Sequence, residues 1–311
     1  MGKLTGIISK ISGSAGNITF KQRGGETIVS EKVTAVRNPR TNAQMQTRTK
    51  WGNIIAMYKG IRPLLNYGFE SRPKNCSDYN MFVKLNMQRS PIYLTKQAVA
   101  GGACVATSYQ ISQGSLPAIV ITGTGNAAVT DIHLGATSLS STTTIAQFAK
   151  AVVDSNPDYQ YGDQISFFKV EQKTNAETGI PYCQFSAWKV VLDAADTETK
   201  LWDVVAREGF AESDGCLAHS NANFVGAFGW VHSRKSNGKT LVSSQTLIAA
   251  NDTILADYQG DLAYNLAKSS YGSGIDAFLV PDGEGTTGGD AGGGGNDNPG
   301  GGNGGGGNDT L

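Results

Sequence analysis

The stretch from Thr41 to Leu65 constrains this chain more than any other. Trp51, Ile54, Ile55, Tyr58, Ile61 and Leu65 recur at helical spacing and form one apolar stripe. Thr41 and Gln44 stand where a capping box needs them: the N-cap hydroxyl accepts from the backbone three residues on, and the Gln side chain reaches back. Pro39 biases Asn38 towards extended backbone. Gly60 and Pro63 predict an end or kink near Arg62. The helix start is electrically unusual. Val36–Trp51 carries Arg37, Arg40, Arg48 and Lys50 and no acidic residue, although a helix N-terminus bears partial positive charge and favours anions. Free N–H groups and arginines can hold an anion together. Arg37, Arg40 and Arg48 are therefore expected to frame an anion site at the Thr41 cap, with Lys50 and Arg62 further along the helix. A solvated basic face is the plainer alternative.

Charge is distributed in the same sense over the whole chain. The 26 basic and 26 acidic residues cancel, but residues 1–97 hold 16 Lys and Arg against 4 Asp and Glu, a net of +12, and the remainder carries −12. Such a split implies either a polyanion partner or a basic part that neutralises an acidic one. The first residues lack the apolar run of a secretory signal, and no run approaches a membrane span, so neither export by signal peptide nor membrane insertion is expected. The four cysteines, Cys76, Cys104, Cys183 and Cys216, lie far apart with no C-x-x-C pair. Free thiols in a cytosolic setting are the expectation.

Local patterns divide the chain into three. Residues 1–97 read as a basic domain. A hairpin turns at Gly24-Gly25 with a short strand before it, then come the Thr41 helix and a shorter helix capped by Ser77, with Tyr79, Phe82, Val83 and Leu85 partly buried. Residues 98–281 read as mainly β. They include strands over "DQISFFKVEQ" and "PYCQFSAWKVVLDA", a hairpin at Asn237-Gly238, and helices over "TTIAQFAKAVVDS", "TETKLWDVVAREG" and "ILADYQGDLAYNLAKSSYG". Residues 282–311 hold 15 of the 40 glycines, five acidic residues and no Lys or Arg. That composition cannot offset its ordering entropy, so a disordered, weakly acidic tail is expected. The fold class is α+β.

"NPRTNAQMQTRTKWGNIIAMYKGIRPLLNYGF" followed by "SDYNMFVKLN" resembles an uncharacterised protein family of Bacteroidota and their phages, including crAss-like phages. The resemblance rests on Asn38, Pro39, Thr41, Gln44, Arg48, Tyr79, Asn80, Phe82 and Asn86, with a later block at Val231 to Gln245. It covers about 90 residues well. It brings no catalytic residues. What it implies is a phage or prophage context, with the protein in the host cytoplasm or the virion.

Motifs for chemistry are sparse. Gly123-x-Gly125-x-x-Ala128 matches a dinucleotide fingerprint, but "AVTDIHLG" after it reads as a strand, and no acidic residue lies between Asp131 and Asp154 to hold a ribose. A hairpin turn is the better account. Cys216, His219, His232 and Cys183 lack the paired spacing of a zinc site. Cys216 with His219 as nucleophile and base is a weak third option; a buried thiol and a surface histidine fit better. No cofactor, metal or catalytic set is assigned.

The basic run is interleaved with Trp51, Tyr58, Tyr67, Phe69 and Tyr79, a mixture that binds single-stranded nucleic acid by charge and stacking, although Trp51 and Tyr58 also fall on the apolar stripe and fit a core. The leading expectation is a non-enzymatic phage or prophage structural or assembly protein. Its basic N-terminal region would contact a polyanion or an acidic subunit surface, with self-association or other virion subunits as partners. The alternative is a single-stranded nucleic-acid-binding accessory protein.

Overall fold

The computed structural model describes residues 2–4, 11–23, 25–33, 41–64, 68–123, 127–250 and 252–272. The tail expected over 282–311, and the cap-flanking Arg37 and Arg40, lie outside the described residues.

The fold is α+β, with several antiparallel sheets. Strands β1 (Gly2–Leu4), β2 (Gly13–Ala15), β3 (Ile18–Arg23) and β4 (Glu26–Glu31) make a small sheet in the order β1-β4-β3-β2. Arg23 faces Glu26 across the expected Gly24-Gly25 hairpin. Helices α1 (Asn42–Ile61), α2 (Asp78–Asn86) and α3 (Lys96–Ala100) follow. The capping box forms as read: Gln44 N–H donates to Thr41 Oγ1, Thr41 N–H donates to Gln44 Oε1, and α1 ends at Arg62. Ser77 caps α2 in the same way, accepting from Asn80 N–H at 3.2 Å.

The remaining elements are β5 (Gln110–Ser112), β6 (Ile121–Thr122), β7 (Val129–His133), α4 (Ile145–Ser155), β8 (Gln164–Thr174), β9 (Pro181–Val191), α5 (Leu201–Val204), β10 (Ala211–Ser213), β11 (Cys216–Ala218), β12 (Gly226–Ser236), β13 (Lys239–Val242), β14 (Gln245–Thr246), β15 (Ile248–Ala249), α6 (Asp252–Asp257) and α7 (Gly260–Ser270). β6 and β7 pair antiparallel, so among the described residues the regular element that follows Gly123 is a strand and not the α-helix a dinucleotide fingerprint requires; residues 124–126 lie outside the described residues. Asn237 and Gly238 both take positive φ, 49° and 72°, at the β12–β13 turn, the backbone that an Asn-Gly hairpin supplies without strain.

Two expected helices are shorter than their patterns. After α5 the chain is extended at Val205, where two β-branched residues in succession weaken the helix, and a single 3₁₀ turn follows over Arg207–Gly209. The last helical pattern breaks into α6 and α7 at Tyr258 and Gln259: Gln259 is extended, at φ −115° and ψ 163°, and α7 opens on Gly260 with a φ of +78°, a left-handed backbone that interrupts a continuous helix.

The centre of the molecule is a five-stranded sheet in the order β13-β12-β8-β9, with β15 also paired to β12 beside β13. Period-2 alternation sends its side chains to two different cores. Ile165, Phe167, Phe228 and Trp230 point to a core shared with Phe148, Val152, Phe210 and Leu217, where α4 and the sheet β10-β11-β7-β6 lie. Phe168, Val170, Ala227 and Val231 point the other way, to a core with Ile54, Met57 and Ile61 of α1 and Phe82 of α2. Residues on both sides of position 97/98 therefore build one core. A Cβ at Gly60 would overlap the Phe185 ring of β9, which is why a glycine stands where α1 crosses the sheet. A smaller cluster of Ile92, Leu94, Ala103, Val105 and Leu255 lies beside α3 and α6.

Candidate functional site

The basic and aromatic residues of the N-terminal region meet at a groove between α1 and α2. It has a volume of about 480 Å³, and its walls include Tyr58, Lys59 and Arg62 from the last turns of α1, Arg72 from the connection, and Asp78 and Tyr79 from the first turn of α2. Helical spacing puts Tyr58 and Arg62 on one face, four residues apart. The Tyr58 and Tyr79 rings meet edge to face at 5.2 Å, and Trp51 meets Tyr79 at 6.5 Å. These three residues are half-buried. Burial raises the Tyr79 hydroxyl pKa, so it stays a neutral donor through the physiological range. Arg72 Nη1 pairs with Asp78 Oδ1 at 3.1 Å. Among the described residues, Asp78 is the one carboxylate lining the groove against three cations.

The residues singled out in the sequence do not all converge. Arg62 lies exposed at the C-cap of α1 and lines the groove. Arg48 is half-buried further up the helix. Lys50 is buried, with its ammonium 5.4 Å from the Tyr93 ring centroid and its pKa lowered by burial. At 1.5 Å per residue, Arg48 and Arg62 stand about 21 Å apart along the axis. Near the Thr41 cap, Lys268 Nζ donates to Asn42 Oδ1 at 2.8 Å, adding a cation that no sequence pattern placed there. Lys59 and Arg72, two members of a long basic run, are the ones that join Arg62. Only the packing of α2 against α1 distinguishes them.

Several residues that carry the family resemblance hold the backbone. Thr41 and Gln44 cap α1, and Phe82 is core. Asn86, fully buried, accepts from Gln110 N–H at 2.8 Å and donates to Gln110 O at 2.9 Å, pairing β5 as a neighbouring strand would.

The thiol and histidines fall differently from expectation. His219 is no surface residue: it is buried and stacked on Phe228 at 3.9 Å. Cys216 Sγ instead lies 3.2 Å from His133 Nδ1, directly across the β11–β7 pair. Burial, Asp131 and Asp214 raise the thiol pKa, the reverse of what an activated nucleophile needs. His232 is buried beside Asp163. All four cysteines are free. Among the described residues, no group of three or more His, Cys, Asp and Glu side chains is placed to hold a metal ion, and no helix is long and apolar enough to cross a membrane.

No protein-family model, curated protein or solved structure matches this chain.

Proposed function

We propose that this protein is a non-enzymatic structural or assembly component, in the phage or prophage setting that the motif resemblance implies, and that its basic α1–α2 region contacts a polyanion or an acidic subunit surface. The observation that carries this reading is the convergence of Lys59, Arg62 and Arg72 on one groove with a single carboxylate. A concave site with an excess of one sign of charge concentrates the opposite sign, and the net −12 of residues 98–311 supplies that sign on another copy. Contacts of this kind weaken as salt screens them. The protein would act in the host cytoplasm or the virion.

The second reading, a single-stranded nucleic-acid-binding accessory protein, draws on the half-exposed Tyr58 and Tyr79 rings beside those cations, since bases stack on such rings while phosphates meet Arg and Lys.

One titration tests both. Labelled single-stranded DNA is followed by fluorescence anisotropy from about 50 to 200 mM salt, a range over which several phosphate contacts cost orders of magnitude in affinity, with light scattering in parallel. Salt-sensitive DNA binding lost in Arg62→Glu/Arg72→Glu selects the nucleic-acid reading. No DNA binding, with salt-sensitive oligomers that the same variant dissolves, selects the assembly reading. Salt-insensitive behaviour in both channels overturns the pair.

A further inference from the structure

The central sheet ends on one side in an unusually open edge. β9 is 11 residues long and pairs with β8 without a register break. The ladder fixes which of its backbone groups face outward. Leu192 N–H donates to Asp163 O, continuing the β8 pairing at even positions, while the Pro181 carbonyl points away and accepts from Cys104 N–H. Antiparallel strands alternate in this respect. The N–H and C=O groups of Cys183, Phe185, Ala187 and Lys189 therefore face outward, and among the described residues they meet no hydrogen-bond partner. Lys189 is exposed, and Cys183, Phe185 and Ala187 are half-buried, Cys183 with its thiol against Cys104 O at 3.3 Å, so the open stretch begins where the Cys104 segment leaves the edge.

Sheet edges are ordinarily guarded by short strands, bulges, Pro or several charges. The opposite edge of this sheet is guarded. β13 has four residues, its Val242 N–H is bound by Glu70 Oε2 at 3.3 Å, and its carbonyl accepts from Leu116 N–H at 3.1 Å. β9 has no bulge, no proline after its first residue, and Lys189 as its one charged side chain.

We infer that β9 is an assembly surface and that its partner is β9 of a second copy of this chain, added antiparallel about a two-fold axis at Ser186. The choice of partner rests on self-complementarity. With outward groups at odd positions, a two-fold axis through Ser186 sets Phe185 opposite the partner's Ala187 and Lys189 opposite the partner's Cys183. Every outward amide and carbonyl from Cys183 to Lys189 is then paired. No like charges face each other, Gln184 lies opposite the partner's Trp188, and the two Ser186 hydroxyls meet at the axis, a pairing that stabilises strand neighbours. The contact is isologous and closes at a dimer. It names a partner under the assembly reading above, but it does not run through the groove.

The test is the mass of the full chain by light scattering, with hydrogen exchange of the β9 amides. A mass of twice the chain is expected, with slow exchange at Phe185, Ala187 and Lys189. Ser186→Lys, which sets two ammonium groups face to face, is expected to give monomer that high salt partly returns to dimer. Ala187→Pro removes one outward N–H and is expected to give monomer by a different route, since an edge tolerates Pro where the N–H faces solvent. Circular dichroism verifies that each variant is folded. A monomer at every concentration overturns the inference, as does a dimer that survives both folded variants or whose β9 amides exchange freely. Arg62→Glu/Arg72→Glu is expected to leave the β9 dimer intact, and the β9 variants to leave anion binding intact, so the two readings fail separately.

Discussion

His232 Nε2 donates to Asp163 Oδ2 at 2.8 Å with both side chains sealed from solvent. The same carboxylate receives Arg234 Nε and Nη2, each at 2.7 Å, and Gln160 N–H at 3.0 Å, while Tyr159 stacks on the imidazole at 4.3 Å. One buried carboxylate thus ties the turn before β8 to the middle of β12.

This arrangement predicts a specific acid sensitivity. Burial alone would raise the Asp163 carboxyl, but the hydrogen bonds from Arg234 and His232 outweigh it and hold the pKa at about 2. A carboxyl lowered on folding contributes stability that is complete above its unfolded value of about 4 and is lost as pH falls towards 2. The expected contribution is about 2–3 kcal/mol. Urea midpoints measured between neutral pH and pH 2 should show this loss. In Asp163→Asn the neutral-pH midpoint should drop and the acid slope flatten.

Asn53 and Asn86 are predicted to be among the costliest polar positions to truncate. Asn53 accepts from Val105 N–H at 2.7 Å and donates to Val105 O at 2.9 Å, as Asn86 does with Gln110. Alanine at either leaves a buried amide and carbonyl without partners, a loss of about 2–4 kcal/mol. Denaturant unfolding of Asn53→Ala and Asn86→Ala measures it. A change below 1 kcal/mol, about the worth of an ordinary exposed hydrogen bond, would show that water replaces the asparagine.

Gly60→Ala runs against helix propensity. In an open helix the change would stabilise by about 1 kcal/mol. Here the new methyl meets the Phe185 ring, and overpacking costs about 1–3 kcal/mol, so a net loss is expected. Adding Phe185→Leu should recover it, and the non-additivity of the double variant measures the contact between α1 and β9.

Tyr79→Ala separates the two readings of the groove. If bases stack there, single-stranded DNA affinity falls by about 1–3 kcal/mol while its salt slope is unchanged. If the groove holds only an acidic surface, Tyr79→Ala leaves anion affinity nearly untouched and Arg62→Glu removes it.

The elements that could be read from the sequence are those decided by near neighbours. The Thr41–Gln44 capping box, the stop of α1 at Arg62, the Ser77 cap, the β3–β4 pairing and the Asn237-Gly238 turn all depend on residues a few positions apart. The rejection of a dinucleotide site at Gly123 was legible for the same reason. The broken α6–α7 pattern was not, because apolar periodicity runs through Gly260 and hides the positive φ there.

Long-range packing decided the rest. Period-2 alternation in β8 and β12 marks two faces, but nothing local says that α1 covers one and α4 the other, or that residues before and after position 97 share a core. A run of cations in sequence looks uniform. Folding buries Lys50 under Tyr93, places Arg62 at the groove, and recruits Lys59 and Arg72 beside it. Cys216 finds His133, 83 positions away, and not His219, three positions away, because strand pairing brings distant residues opposite each other. The edge status of β9 is likewise a property of strand order. The physical reason is the same throughout: caps and turns are settled by local backbone geometry, whereas which charge stays in water and which strand lacks a neighbour are settled only when the sheets and helices close on their cores.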